Sequence, residues 1–225
     1  MYLRGFDSGR ELLKWVAIIT MTVDHVGAVL YPDFEVLRWI GRLSFPLFAY
    51  LLVLGMENTR NIRKYFTRLF VFALISQVPF FLAVDYAPFE SFNIFFTLSF
   101  GLLFVYLFNQ GSVIAFVPLL VSLALPFDYG VYGLATIGCM YMLRKNTNFG
   151  VTFLFLLNAL FLVAWNTQFL SLFALPLILL HNNGSLTRTT NFSADFKMPA
   201  WRKYFFYVYY PLHLFLLYLL KVYFF

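Results

Sequence analysis

Apolar runs of roughly the length needed to cross a lipid bilayer follow one another along most of this 225-residue chain. A membrane-spanning helix needs about 20 predominantly apolar residues, because each residue adds about 1.5 Å to the helix. Backbone N–H and C=O groups find no water in lipid, so such runs must satisfy their own hydrogen bonds as helices. The sequence therefore predicts an all-α, polytopic membrane protein that forms a single domain, 1–225.

The composition supports a lipid environment. Hydrophobic residues make up 62% of the chain and charged residues 12%, against about 25% charged residues in a soluble domain. We interpret the first run as a retained helix rather than a signal peptide, because Asp24 and His25 interrupt it and no small-residue cleavage site follows. The runs predict about nine transmembrane helices. They cover 11–31, 36–57, 65–84, 92–109, 112–125, 129–143, 149–164, 168–182 and 203–222.

Basic residues are spread unevenly among the predicted loops, and this asymmetry predicts the orientation. Thirteen of the 16 Lys and Arg residues lie in segments that nine spans place on one side. They are Arg4, Arg10, Lys14, Arg60, Arg63, Lys64, Arg68, Arg144, Lys145, Arg188, Lys197, Arg202 and Lys203. The positive-inside rule then predicts a cytoplasmic N-terminus and an outside C-terminus, as in a multi-pass protein of a bacterial inner or plasma membrane. The net charge of +6 reflects this topology, so no nucleic-acid partner is expected.

Cysteine and histidine spacing gives no sign of a metal or redox centre. Cys139 is the only cysteine, which excludes an intramolecular disulfide. It lies in an apolar run, so we interpret it as a packing residue rather than a nucleophile. The sequence predicts no metal site.

An acid and an imidazole, Asp24 and His25, are adjacent within the first predicted span. An ionised Asp near the middle of a membrane helix costs about 2.5 to 3.5 kcal/mol on insertion scales. A pair kept at this depth favours a buried site that handles protons or polar substrates. A further histidine, His213, falls near the middle of the ninth span, where a satisfied core histidine is the competing interpretation.

Polar residues of other spans reach a similar depth if the spans alternate in direction. Arg42 lies at the depth of Asp24 and is its expected ion-pair partner, although such a pair is often only a structural clamp. Asn93, Asp128 and Tyr129 open the fourth and sixth spans from the same side. These groups must pair with one another or line a water-filled cavity, because unpaired charges at this depth are too costly.

Six segments, in this order along the chain, carry a family resemblance. They are MTVDH at 21–25, GRLSFPLF at 41–48, NTRN at 58–61 with Lys64 and Tyr65 after it, NIFFT at 93–97, DYGVYGL at 128–134 and FYVYYPLHL at 206–214. Together they resemble the TraX family, whose best-known member acetylates the N-terminus of conjugative pilin. The first helix, with its deep histidine, is also similar to the wider superfamily of integral-membrane acyltransferases, which use cytoplasmic acyl-CoA.

The resemblance implies an acetyltransferase with acetyl-CoA as co-substrate. It makes His25 the catalytic histidine, with Asp24 and Arg42 fixing the geometry and His213 assisting proton transfer or orienting the acceptor. The acceptor would be an amine or hydroxyl in or across the membrane, on a pilin-like small membrane protein or another cell-surface molecule, and membrane lipid would surround the chain.

The remaining polar residues receive binding roles under the same reading. Asn93, Asp128 and Tyr129 would contact the substrate. The basic loop residues would bind the phosphates of acetyl-CoA, although a role in topology alone is the alternative for each. These are Arg60, Arg63, Lys64 and Arg68. Two other functions stay open: a small-solute or proton-coupled transporter that uses the same polar residues, and a noncatalytic assembly partner of a surface system.

Overall fold

The computed structural model describes residues 6–162, 166–186, 189–190 and 200–224. Within these ranges helices are joined by short loops and turns, and two short antiparallel strands, β1 (Phe6–Asp7) and β2 (Thr189–Thr190), pair with each other. Short 3-10 segments, Val113–Ala115 and Asn166–Ala174, precede α6 and α9. The helices are α1 (Ser8–Val29), α2 (Glu35–Gly41), α3 (Ser44–Asn58), α4 (Ile62–Val84), α5 (Ile94–Asn109), α6 (Phe116–Ala124), α7 (Gly130–Lys145), α8 (Thr147–Phe161), α9 (Leu175–Asn182) and α10 (Ala200–Phe224).

The predicted all-α membrane class is confirmed. Each predicted span coincides with helical structure, and four helical regions in the described part of the chain are long and apolar enough to cross a membrane. These are Ser8–Val29, Glu35–Asn58, Ile62–Val84 and Tyr204–Phe224. The count of nine spans and their orientation stay predictions. Arg4, Arg188 and Lys197, which contributed to the orientation, lie outside the described residues.

The second predicted span is divided at Arg42 and Leu43 into α2 and α3. Pro46, the third residue of α3, explains the division. Proline has no N–H group and so cannot donate to the carbonyl four residues earlier, which interrupts a continuous hydrogen-bond ladder. It is tolerated in the first turn of a helix, where N–H groups have no intrahelical partner, so α3 restarts just before it.

Large apolar side chains cover much of the molecule's outside, as the surface of a lipid-embedded bundle requires. Leu74, Leu120, Leu160 and Leu212 are each more than half exposed. The interior is built around α3, whose Leu47, Ala49 and Tyr50 are fully buried. This distribution is the reverse of a soluble helix bundle, where such exposed apolar area would promote aggregation.

Helix α1 begins with a side-chain cap that also connects it to the rest of the bundle. The Asp7 carboxylate accepts a hydrogen bond from the Arg10 N–H at 2.9 Å, which satisfies one of the unpaired N–H groups at the helix start. Its second oxygen lies 3.1 Å from His181 Nε2 on α9. The Tyr50 hydroxyl lies 2.9 Å from the other ring nitrogen of His181. α1, α3 and α9 are therefore joined at this end of the bundle.

Helix α10 packs along α4 and α1. Its last turn carries Lys221, which forms an ion pair with Asp85 at the end of α4. Further along α10, the Tyr209 hydroxyl lies 2.7 Å from Thr22 on α1. Thr22 already donates its proton to the Ile18 carbonyl at 2.8 Å, so Tyr209 donates and Thr22 accepts. These contacts set the register between the first and last helices.

Two glycines let α1 and α2 approach closely beside the polar residues of α1. A Cβ atom at Gly41 would overlap the Asp24 side chain, and one at Gly27 would lie 2.7 Å from Leu37 Cβ. Small residues at helix interfaces in membranes allow such close backbone approach. The absence of a side chain at Gly41 thus creates the space in which the Asp24 carboxyl sits.

We expect Gly41→Ala to destabilise the protein, although alanine is the better helix former by about 1 kcal/mol. The added methyl group overlaps Asp24, and overpacking typically costs about 1 to 3 kcal/mol. Gly138→Ala on α7 is a matched control, because its nearest contact would be a Phe104 ring carbon at 3.1 Å. Thermal unfolding in detergent should show a lower midpoint for Gly41→Ala alone, and equal midpoints for the two variants would contradict this packing.

Candidate functional site

Two histidines from the first and last helices form a hydrogen-bonded pair. The Nδ1 atom of His25 on α1 lies 2.8 Å from the Nε2 atom of His213 on α10. His213 is buried, with 6% of its surface exposed, and its ring stacks on Tyr209 at a centroid distance of 4.9 Å. Both residues were predicted from the sequence, and the structure brings their rings to the same level in the bundle.

Backbone chemistry determines which nitrogen of each ring carries the proton in the neutral pair. The Nδ1 atom of His213 lies 2.9 Å from the Tyr209 carbonyl oxygen, and a carbonyl can only accept. His213 Nδ1 therefore donates, which leaves a lone pair on its Nε2 atom. That lone pair accepts from His25 Nδ1, so the His25 proton is on Nδ1 and the lone pair is on Nε2. Within the described ranges, His25 Nε2 has no hydrogen-bond partner.

Asp24 forms an ion pair with Arg38 rather than with Arg42, so the predicted pairing is wrong. An Arg38 guanidinium nitrogen lies 2.6 Å from the Asp24 carboxylate and 3.2 Å from the Asp24 carbonyl oxygen. Arg38 and Arg42 are one turn apart in sequence, and the break before α3 leaves Arg42 at the C-terminal cap of α2. The second oxygen of Asp24 and the Nε atom of Arg42 are buried without a partner among the described residues.

A cavity of about 270 Å³ opens beside these groups. Its polar lining includes Asp24, His25, Arg38, Arg42, Asp128, Tyr129 and Gln168, while Phe80, Val84 and Tyr86 form its wall on the side of α4. Several kinds of hydrogen-bonding group thus converge on one space large enough for a small polar ligand. We call this space the wide chamber.

A much narrower cleft of about 30 Å³ continues from the wide chamber into the bundle. Asp24, His25, Asp128 and Tyr129 line both spaces. The rest of the cleft is mainly apolar, with Met21, Phe48, Leu98 and Phe206 among its walls. The cleft is far smaller than the wide chamber. His25 therefore stands at the junction between a polar chamber and a constricted apolar passage.

Asp128 and Tyr129 reach the junction from the connection between α6 and α7. The Asp128 N–H donates to the Phe92 carbonyl at 2.9 Å, and the Tyr129 ring stacks on Phe45 at 4.1 Å. The Asp128 side chain lines both spaces and remains accessible from the chamber. Desolvation by the surrounding protein raises the pKa of Asp128 to about 6, and the Asp24 carboxylate adds to the rise.

Asn93 has the predicted depth but does not line either space. Its side-chain oxygen caps α5 by accepting from the Phe95 N–H at 3.1 Å. Its amide donates to the Ala73 carbonyl at 2.8 Å and to the Gln77 side chain at 2.6 Å. Asn93 is fully buried, and its side chain joins α4 to α5. Its contacts are with the protein, and no substrate role is proposed for it.

The four predicted phosphate-binding residues do not form one surface. Arg60, Arg63 and Lys64 are exposed at the beginning of α4. Arg68 turns inward instead, with its guanidinium carbon 5.2 Å from the Tyr65 ring centroid and 5.1 Å from that of Tyr207. Cation–π contacts of this kind hold a guanidinium in a partly apolar setting.

Three residues of the site were missed by the sequence analysis. Arg38 had a usable signal, since it lies one turn before Arg42 on the same face of a helix. No sequence signal indicated Tyr209 or Gln168. Tyr209 contributes a backbone carbonyl, a group that every residue carries, and Gln168 lies at the predicted edge of a span, where polar residues are common.

The fold and the site together define a class of protein: a polytopic helical membrane protein with an imidazole pair and two arginines around an internal polar chamber. Comparison with known families agrees with this class and is more specific. The model of the TraX protein family matches residues 9–221 of the chain. The chain therefore belongs to the TraX family.

Individual relatives match shorter segments. The chain is 35% identical over 150 residues to a probable fimbrial assembly protein FimC, serogroup H1, of Dichelobacter nodosus, with 57% of this chain and 60% of that protein covered. It is 33% identical over 75 residues to Protein TraX of Escherichia coli K12, which covers 33% of this chain and 30% of that protein. It is 30% identical over 102 residues to an uncharacterized protein of Rickettsia prowazekii, 38% of which is covered. No solved structure matches the chain.

Double-mutant cycles in detergent should separate the two arginines. Asp24→Asn combined with Arg38→Gln should show a coupling of about 1 to 3 kcal/mol in unfolding free energy, because a charge-assisted hydrogen bond is lost in either single variant. The same cycle with Arg42→Gln is the matched control and should show a smaller coupling. Equal couplings in the two cycles would contradict the ion pair described above.

The raised pKa of Asp128 predicts a pH-dependent difference between the protein and its Asp128→Asn variant. A carboxyl whose folded pKa exceeds its unfolded value stabilises the fold at low pH and loses that contribution as pH rises through about 6. The variant should therefore gain thermal stability relative to the parent between pH 5 and pH 7. The gain should be small, because the side chain faces the chamber. A difference in unfolding midpoint that stays constant over this range would contradict the raised pKa of Asp128.

Proposed function

We propose that this protein is a membrane-embedded acetyltransferase that transfers an acetyl group from cytoplasmic acetyl-CoA to an amine or hydroxyl of a surface-system component such as a pilin. Membership of the TraX family and the similarity to a protein named for fimbrial assembly support a role connected with pili. The observation that carries the chemistry is the lone pair on His25 Nε2, which the contacts of His213 leave free at the junction of chamber and cleft.

His25 in this arrangement has the requirements of a general base. A base needs an unshared electron pair within reach of the proton it removes and a partner that holds its ring in the right tautomer. His213 is that partner, and the Tyr209 carbonyl in turn orients His213. This arrangement resembles active sites in which a third group orients the base. A backbone carbonyl here takes the place that a carboxylate often occupies.

The two spaces suit two different substrates. The wide chamber, with its carboxylates and arginines, would admit the polar acceptor. The cleft, with Met21, Phe48 and Leu98, would receive the acetyl thioester from the opposite side. His25 touches both spaces, so both reacting groups would meet at its Nε2 atom. Because the cleft is so small, its widening would accompany donor binding.

Arg68 offers a link between the cytoplasmic surface and the cleft. Phe206 lines the cleft, and its neighbour Tyr207 contacts the Arg68 guanidinium. Arg60, Arg63 and Lys64 lie exposed on the preceding turns and would hold the phosphates of acetyl-CoA. The donor would then lie with its charged end on the basic surface and its pantetheine arm directed toward His25.

The proposed transfer balances as follows. The neutral amine of the acceptor attacks the thioester carbonyl carbon, while His25 Nε2 takes a proton from the amine nitrogen. A carbon–nitrogen bond forms, and the carbon–sulfur bond breaks. The leaving thiolate takes its proton from the His25 imidazolium, which restores the neutral pair. The guanidinium groups of Arg38 and Arg42 would stabilise the negative charge that develops on the carbonyl oxygen.

The parallel course of α1 and α10 supports the proposed topology. Thr22 and His25 on α1 meet Tyr209 and His213 on α10 in the same order, so both helices run in one direction. An odd number of crossings gives this relation between first and last spans. We propose nine crossings, a cytoplasmic N-terminus and a location in the bacterial inner or plasma membrane, with the wide chamber open to the outside.

Transfer of label from acetyl-CoA tests the function directly. Purified protein, labelled acetyl-CoA and a membrane extract should yield a labelled acceptor, and His25→Ala should lower the rate about 10²- to 10⁴-fold. His213→Ala should cause a smaller loss, and His213→Gln should recover part of it, because a side-chain carbonyl can still accept from His25 Nδ1.

His181→Gln is the matched control, because this third histidine lies at the other end of the bundle with Asp7 and Tyr50. It should keep its transfer rate even if its stability falls. A folded His25→Ala protein with near-normal turnover would end the proposed mechanism. Solute flux without a covalent product would then favour a transporter, and neither activity would favour an assembly partner.

A further inference from the structure

Gln168 is a polar side chain of the wide chamber to which the proposed mechanism gives no task. It lies in the 3-10 segment before α9 and has only 2% of its surface exposed, yet it contributes to the chamber wall. Behind it lies a buried network formed by Tyr132 on α7, Asn158 on α8 and Ser171. Each of these three residues is 2% exposed or less.

The direction of every hydrogen bond in this network follows from one backbone carbonyl. The Asn158 amide nitrogen lies 2.9 Å from the Leu154 carbonyl oxygen, so Asn158 must donate there and its side-chain oxygen must accept elsewhere. That oxygen lies 3.2 Å from the Tyr132 hydroxyl and 3.1 Å from the Ser171 hydroxyl. Both hydroxyls donate to it. The Tyr132 hydroxyl therefore directs its proton to Asn158 and presents a lone pair toward Gln168.

Gln168 therefore donates its side-chain N–H to the Tyr132 hydroxyl oxygen. Its Nε2 atom lies 3.3 Å from the Tyr132 hydroxyl oxygen, and the opposite amide orientation would set two acceptors against each other. The network thus directs the Gln168 nitrogen into the bundle. The Oε1 atom is left without a partner in the described part of the chain. A nearly buried amide oxygen on a chamber wall is costly unless a ligand or water donates to it.

We propose that Gln168 Oε1 accepts a hydrogen bond from an N–H group of the acyl acceptor and so positions the acceptor in the wide chamber. This inference rests on the proposed function and deepens it. Gln168 and His25 both face the chamber as acceptors, each oriented by a relay that ends at a backbone carbonyl. A neutral amine supplies the donors that both require, and a buried amide left unpaired discriminates against ligands that lack them.

The test uses glycinamide as the acceptor probe and labelled acetyl-CoA as the donor. Gln168→Leu, which keeps the bulk and loses the amide, should raise the KM for glycinamide about tenfold with little change in kcat. Tyr132→Phe removes the acceptor that orients Gln168, so it should raise KM by a smaller factor. Gln110→Leu, at an exposed glutamine after α5, is the matched control and should leave both constants unchanged.

The outcomes separate this inference from the proposed function. Unchanged KM in a folded Gln168→Leu protein would overturn the Gln168 assignment and leave the acetyltransferase standing. If Gln168→Leu does not fold, Tyr132→Phe decides in the same way. If the unaltered protein transfers no acetyl group to glycinamide, its thermal midpoint is measured with and without the probe. A probe-induced rise that Gln168→Leu lacks supports the assignment, and the absence of any rise overturns it.

Discussion

The chemistry of the chamber depends on a hydrogen bond between two imidazoles that come from opposite ends of the chain. A lone imidazole in an apolar helix could carry its proton on either nitrogen. The Tyr209 carbonyl removes this freedom, because it can only accept, and the constraint passes through His213 to His25. The position of the free lone pair on His25 is thus decided by a backbone carbonyl of α10, one turn before His213.

The surrounding helices serve this arrangement by close packing and by ion pairing. Gly41 leaves room for Asp24, and Asp24 in turn holds Arg38 over the chamber. The attraction between two buried charges offsets the free-energy cost of their desolvation only when the geometry is good and the remaining lone pairs are satisfied. One Asp24 oxygen and Arg42 Nε have no partner in the described residues, so the site retains polar groups that a bound substrate would satisfy.

The sequence predicted the depth of the site residues along the membrane normal. It did not predict the direction in which each side chain points from its helix. Asp24, His25, Asp128 and Tyr129 meet at one level because polar residues are rare in apolar runs and their depth can be counted at about 1.5 Å per residue. The rotation of each helix about its own axis, which decides what a side chain faces, cannot be obtained by counting residues from the end of a span. Asn93 has the expected depth but its side chain turns toward α4, and Asp24 pairs with Arg38, one turn before the expected Arg42. The orientation of the Gln168 side-chain amide could be assigned only from the directions of three other hydrogen bonds in the structure.

The parallel contact between α1 and α10 has a consequence for biosynthesis. Chains enter the membrane from the N-terminus, so His25 is in place long before His213 has been synthesised. Until α10 docks, the imidazole of His25 has neither its tautomer nor its orientation imposed, and the cleft lacks the walls that Phe206 and Tyr210 provide. Completion of the last helix therefore fixes the tautomer and orientation of His25, so under the proposed mechanism a partly inserted chain would have no oriented base.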